Sequence, residues 1–228
     1  MNKFIKIKNI NKKYEKNNSI KVLNDISFNF ESGKIYSIVG PSGSGKSTLL
    51  NLLSLIDTPS SGSIEINKKK INFENIIEND NIRSKNIGII YQDKNLLSDF
   101  SAIENVYLPN LLLSNNKSSS KNLAKKIIKN FGLSSKSNHF PSELSGGENQ
   151  RIAIARALIN MPEIVLADEP TGSLDFENAK QIFKFLFNLK NKNRIIIFAT
   201  HNRYFANMAD CKIKMIGGKM KITNERFN

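Results

Sequence analysis

The tightest constraint on this chain is the run Gly40-Pro41-Ser42-Gly43-Ser44-Gly45-Lys46-Ser47. It fits G-x-x-x-x-G-K-[ST], and it lies where such a loop can work. Ile35-Tyr36-Ser37-Ile38-Val39 before it reads as a short apolar strand, and Ser47 to Ile56 carries a helical pattern. The glycines let the backbone curl until successive N–H groups point inward, a concavity suited to phosphate oxygens. The helix starting at Lys46 adds the positive end of its dipole. Lys46 is placed to reach the β- and γ-phosphates of a nucleotide and Ser47 to ligate Mg2+. Thr48 follows on the same turn and completes the expected ATP-binding set.

A second strand supplies the opposite wall. Ile164-Val165-Leu166-Ala167 is a buried-strand pattern that ends in Asp168-Glu169. In an open parallel sheet, ligands bind at that carboxyl edge. Asp168 is expected to hold Mg2+ through water, and Glu169 to polarise an attacking water as general base. Together the two segments predict ATP hydrolysis by in-line attack of water, with catalysis through positioning and charge neutralisation.

The rest of the chain fits a layered α/β fold. Phe4–Lys8 and Ile26–Phe30 alternate like antiparallel strands near the N-terminus, and Ile64–Ile66 and Ile87–Ile90 are further short strands. After residue 147, helix and strand alternate: helix 147–160, strand 164–167, helix 178–190, strand 195–199, helix 203–208. Lys212–Ile216 and Lys219–Ile222 follow as a hairpin around Gly217-Gly218. Alternation of this kind predicts a mainly parallel sheet. Between about 92 and 147 the texture turns helical, with helices at 102–113 and 123–131 joined by a Ser-rich polar connector at 114–120. One domain of 228 residues is therefore expected: a core of about 1–91 and 148–228 interrupted by a helical subdomain.

Composition removes other classes. No apolar run approaches the ~20 residues needed to cross a bilayer, and the N-terminus has no apolar signal region, so the cytosol is expected. One cysteine, Cys211, excludes an internal disulfide and reads as a small buried strand residue. The net charge of +14 invites a nucleic-acid partner. Yet Asn (32) and Ile (31) outnumber Lys (28), and neither residue helps to bind phosphate. The charge reads as compositional background, and no nucleic acid is expected.

Leu144-Ser145-Gly146-Gly147-Glu148 resembles the signature of ABC-type ATPases, in its usual place between Lys46 and Asp168. The resemblance spans the chain and implies further roles. Tyr14 matches the aromatic that stacks on adenine. Gln92 matches the glutamine that senses Mg2+ and the membrane partner. Ser173-Leu174-Asp175 matches the loop that crosses the dimer interface, and His201 the histidine at the γ-phosphate. It also implies a dimer with two ATP molecules between subunits, because Ser145 to Glu148 close over the nucleotide of the second copy. Within the family, Gln92–Phe100, Ala102-Ile103-Glu104-Asn105-Val106 and Leu108-Pro109 resemble the ATPase subunits of lipoprotein-releasing transporters. That implies integral membrane partners docking near Gln92–Phe100, at the cytoplasmic face of the inner membrane. Macrolide-export and cell-division ATPases share nearly every motif and stay open. A soluble ABC ATPase acting on nucleic acid fits 228 residues less well. Two positions depart from the pattern: Asn149, where Arg or Gln is usual, and Asn202, where Asp is usual.

Overall fold

The computed structural model describes residues 4–16, 18–172 and 174–225. The N-terminal part is a four-stranded antiparallel sheet of β1 (Phe4–Lys16), β2 (Asn18–Glu31), β4 (Ser61–Ile66) and β5 (Lys69–Lys70), in the order β2-β1-β4-β5. β1 and β2 run well past the alternating stretches that announce them. Asn9 and Asp25 break the alternation: both adopt positive φ, and Asn9 Nδ2 donates to Asp25 Oδ1 at 2.8 Å. The register shifts there, and pairing resumes as far as Lys16–Asn18.

The second sheet has the order β10-β9-β3-β8-β7-β6. Its members are β3 (Ile35–Val39), β6 (Ile87–Ile90), β7 (Ile164–Asp168), β8 (Ile195–Ala199), β9 (Cys211–Ile216) and β10 (Lys219–Glu225). All neighbours are parallel except the β9–β10 hairpin. This is the expected fold class. The central strands are buried on both faces, which explains why they read as continuous apolar runs. On β8, Ile195, Ile197 and Ala199 join the core shared with the antiparallel sheet and helix α1 (Lys46–Leu53), while Ile196 and Phe198 point the other way. There Phe198 meets Phe183 of helix α6 (Phe176–Asn188), with ring centroids 5.1 Å apart. Of the four phenylalanines on or near this helix that are expected in the core, Phe183 is buried and Phe185 and Phe187 are partly buried against it, whereas Phe176 is 49% exposed. Cys211 is a buried strand residue.

A third apolar cluster joins helices α3 (Ala102–Ser114), α4 (Lys117–Asn130) and α5 (Gly146–Leu158). The Ser-rich stretch is not the connector that its composition suggests. Asn116 caps α4 by accepting from Ser119 N at 2.9 Å, so Ser118–Ser120 form its first turn. Ser120 is fully buried, and its hydroxyl donates to Asn110 Oδ1 and Asn116 O, both at 2.8 Å. Helix α2 (Ile76–Asn86) was not legible from periodicity. It buries only Asn79, and Ile76 and Ile77 point into solvent, so no apolar stripe marks it. Its signal was the Asn75 cap, which accepts from Glu78 N at 3.1 Å. A last short helix, α7 (Arg203–Ala206), precedes β9.

Gly88 on β6 lets α5 lie against the sheet. A Cβ there would stand 2.4 Å from Ala157 O and 2.8 Å from Pro162 Cγ. Gly88→Ala is expected to cost about 1–3 kcal/mol by overpacking. At this size that lowers Tm by about 2–4 °C per kcal/mol, and thermal unfolding of the ligand-free protein measures it.

Candidate nucleotide site

The sheet order puts the carboxyl ends of β3, β8, β7 and β6 side by side. Gly40, Thr200, Glu169 and Gln92 follow those strands within two residues. Backbone bonds align the ends: Thr200 N donates to Ile38 O at 3.0 Å, and Glu169 N to Ala199 O at 3.1 Å. The loop from Gly40 to Gly45 crosses this edge and turns into α1. Gly43 and Gly45 have φ of +75° and +95°, the left-handed region that favours glycine. Gly45 also packs against β2, because a Cβ there would lie 2.7 Å from Leu23 Cδ2 and 3.0 Å from Val22 O. At the other end of the loop, a Cβ on Gly40 would strike Met215 O at 2.3 Å. The loop thus needs glycine for backbone turn and for close packing, and α1 begins there with unsatisfied N–H groups facing inward.

A cleft of about 640 Å³ opens above the loop. Pro41, Ser42, Lys46, Ser47, Thr48, Gln92, Asp168, Glu169 and His201 line it with Gly40, Gly43 and Gly45. Ser44 does not line it. That residue is buried, its hydroxyl has no hydrogen-bond partner, and it stands 2.7 Å from where a Gly40 Cβ would be. Lys46 Nζ donates to the carbonyls of Gly40 and Pro41, both at 3.0 Å, which holds its charge over the loop. Asp168 Oδ1 is buried with no hydrogen-bond partner. Next to it, Glu169 has φ +44°. Such a value in a non-glycine residue marks local strain. Glu169 Oε2 lies 2.9 Å from His201 Nδ1 and accepts from His201 N at 3.3 Å. With Nδ1 facing Glu169, Nε2 is the imidazole nitrogen left for a ligand.

The donor set fits Mg2+. A carboxylate, a hydroxyl and a carboxamide meet at one cleft, all oxygen ligands of the kind a hard cation takes. Among the described residues no group of three His, Cys, Asp or Glu side chains could hold a metal alone. A cation here needs oxygens from a bound phosphate, which is how Mg2+ usually enters nucleotide sites. The orphan oxygen of Asp168 is the protein's own indication of such a partner.

The expected signature opens α5. Ser145 is its N-cap: Ser145 Oγ accepts from Glu148 N at 3.2 Å, and Glu148 Oε2 accepts from Ser145 N at 2.7 Å. That backbone bond holds the Glu148 carboxyl below its ordinary pKa, with burial acting weakly against it. A Cβ on Gly146 would meet nothing, and one on Gly147 would find only ordinary contacts, the nearest Asn178 Oδ1 at 3.7 Å. None of these four residues lines the cleft that holds Lys46. Leu174 lies beside them, and Asp175 caps α6 by accepting from Asn178 N at 3.0 Å. Ser173 lies outside the described residues. Tyr14 does not line the cleft; it pairs across the sheet with Ile20, which does.

The family model for ABC transporters matches residues 23–172, from β2 through the loop, the signature and both acids. This chain belongs to the ABC transporter family. It binds and hydrolyses ATP as an ABC ATPase. Among its relatives is the lipoprotein-releasing system ATP-binding protein LolD of Rickettsia bellii, 42% identical over 97% of this chain and 99% of that protein. The protein of the same name from Wigglesworthia glossinidia brevipalpis is 44% identical over 95% of each chain. The ATP-binding cassette MJ0796, solved as a dimer in a post-hydrolysis state with ADP and Pi, has 34% identity and a TM-score of 0.92. The match covers 98% of this chain and 100% of that one.

Several supports of this ABC cassette escaped sequence reasoning. Arg156 on α5 donates to Asn95 O at 2.7 Å and to Lys94 O at 2.9 Å, clamping the segment after Gln92. Burial holds its pKa below the ordinary arginine value. Asn105 is fully buried; its Nδ2 donates to Leu97 O and Phe100 O, and its Oδ1 accepts from Leu97 N. Leu97 and Phe100 are thereby left about 40% exposed (42% and 39%), whereas Leu96 packs on the third cluster. At the departures from the family pattern, Asn149 Nδ2 donates to Pro141 O and Leu144 O ahead of the signature. Asn202 caps α7. His139 is a loop residue whose carbonyl accepts from Ala102 N at 2.8 Å. Asparagine and arginine side chains of this kind carry no periodic signal; only the folded loops they tie reveal them.

Gly45→Ala is expected to weaken ATP binding more than tenfold. The added methyl meets β2, and the αL conformation resists any side chain. Titration with a fluorescent ATP analogue measures the loss, and wild-type affinity would show that the loop tolerates a Cβ.

Proposed function

We propose that this chain is the ATPase subunit of a lipoprotein-releasing ABC transporter, working as a pair of copies at the cytoplasmic face of the inner membrane. Support for the specific cargo comes from relatives of that name that align over nearly the whole chain. No helix among the described residues is long and apolar enough to cross a membrane. The transport path then belongs to integral membrane partners, which dock near Gln92–Phe100 against exposed Leu97 and Phe100.

The observation that carries the catalytic reading is the meeting of Lys46, Asp168, Glu169, Gln92 and His201 in one cleft. Lys46 and the loop amides of Gly40 to Ser47 cradle the β- and γ-phosphates. Ser47, Gln92 and Asp168 would hold Mg2+, which would neutralise phosphate charge. Glu169 accepts a proton from water as its oxygen attacks the γ-phosphorus. The bond to the β–γ bridging oxygen breaks, and ADP and phosphate leave. His201 keeps Glu169 oriented through Nδ1 and offers Nε2 to the γ-phosphate. The helical unit of about 92–147 is read as a separate subdomain carrying both the docking loop and Ser145.

Two copies are needed because Ser145, Gly146, Gly147 and Glu148 stand away from their own Lys46. Gly146 is the first residue of α5, and no contact among the described residues requires glycine there. A nucleotide held by the second copy, approaching the α5 N-terminus, supplies the requirement. Leu174 and Asp175 belong to the loop that crosses between copies.

Glu169→Gln is expected to cut ATP turnover at least a hundredfold while ATP drives the protein from monomer to dimer in light scattering. Retained turnover would remove Glu169 as the base. Purification of tagged wild-type protein from membranes is expected to bring down integral lipoprotein-release subunits. Recovery of a cell-division or macrolide-export partner instead would move the chain to that branch.

A further inference from the structure

We propose that Lys12 and Asp57 are positioning residues for the nucleobase platform: they hold the Tyr14 ring in place by its hydroxyl and by one face, so that its other face is free for adenine. The inference rests on the reading of Tyr14 as the base-stacking aromatic and extends it to two residues outside every motif of the cassette.

The three side chains form a closed cluster. Tyr14 donates its hydroxyl to Asp57 Oδ2 at 2.7 Å. Asp57 Oδ1 takes the Lys12 ammonium at 2.6 Å, and the same ammonium donates to Thr58 O at 2.7 Å. Lys12 Nζ also stands over the Tyr14 ring, 4.7 Å from its centroid. A lysine rarely becomes this buried, yet Lys12 retains only 9% of its exposure. Tyr14 itself stays 40% exposed. The phenol is therefore anchored at its hydroxyl, with a cation over one face of the ring, while the residue stays partly exposed.

Each partner comes from a different part of the fold. Lys12 and Tyr14 lie on one face of β1, two residues apart, whereas Asp57 ends the segment after α1, the helix that begins at the phosphate loop. The cluster ties the antiparallel sheet to the loop's own helix, so the platform keeps a set distance from the phosphates. Burial, opposed by the bonds from Lys12, Tyr14 and Thr58, leaves the Asp57 carboxyl below its ordinary pKa. Burial and the neighbouring Asp57 raise the Tyr14 phenol, so it remains a neutral donor. An ammonium over one face of a ring and a flat base over the other is an arrangement in which both contacts are favourable.

The test separates the base from the phosphates. ATP and inorganic triphosphate, each with Mg2+, share the phosphate site, but only ATP has a base. Lys12→Met and Asp57→Asn are each expected to raise the KM for ATP about five- to tenfold, with kcat within twofold and the inhibition constant for triphosphate unchanged. Lys12→Arg, which keeps the charge over the ring, is expected to restore most of the loss. Tyr14→Ala gives the reference effect and tests the underlying reading. If Tyr14→Ala leaves the KM unchanged, that reading of Tyr14 fails and the proposal with it. If Tyr14→Ala raises the KM while Lys12→Met and Asp57→Asn do not, the proposal alone is overturned. Equal weakening of ATP and triphosphate in the Lys12 and Asp57 variants also overturns it, because the damage then lies in the phosphate site or the fold.

Discussion

A carboxylate oxygen buried without a partner costs about 1–3 kcal/mol, and more when charged. Asp168 keeps such an oxygen at the carboxyl end of β7, beside the phosphate loop. The surrounding structure is arranged to keep it there. β7 is buried on both faces, so the acid cannot swing away without opening the sheet. β3 brings the amide-rich loop to the same edge, and β8 brings His201 against Glu169. The fold thus gathers negative and positive groups at one cleft on this sheet edge.

The strain at Glu169 belongs to the same arrangement. A φ of +44° right after a buried strand turns the chain sharply, so that Glu169 and Asp168 face different tasks from adjacent positions. Asp168 lines the cleft and keeps Oδ1 buried, while Glu169 Oε2 reaches the backbone and ring of His201. One acid suits a cation and the other a water, and the backbone conformation separates them.

Much of this was legible in the sequence because the elements that form the site are the most regular ones. β3, β7 and β8 read as apolar runs closed by functional residues, and the loop between β3 and α1 has a pattern with a direct mechanical meaning. The signature residues were legible only by resemblance: Ser145 and Glu148 make an ordinary capping box, and nothing among the described residues explains Gly146. Other features lacked a periodic signal. Helix α2 fully buries only Asn79, Ser118–Ser120 look like linker although Ser120 is buried, and bulges at Asn9 and Asp25 interrupt the long strands. Lys12, Asn105 and Arg156 act through contacts with distant backbone or side chains, and among 28 lysines and 32 asparagines no composition argument could select them.

The central claim is that the unpartnered Asp168 oxygen is kept for a nucleotide-bound cation. Melting curves of Asp168→Asn, with and without ATP and Mg2+, test it most directly. Replacing the carboxyl by a carboxamide of the same shape predicts an unliganded Tm equal to or above that of the wild type, with the extra stabilisation by Mg2+ over ATP alone abolished. A variant that melts lower without ligand, yet keeps the full Mg2+-dependent shift, would contradict the account and make Asp168 a structural residue.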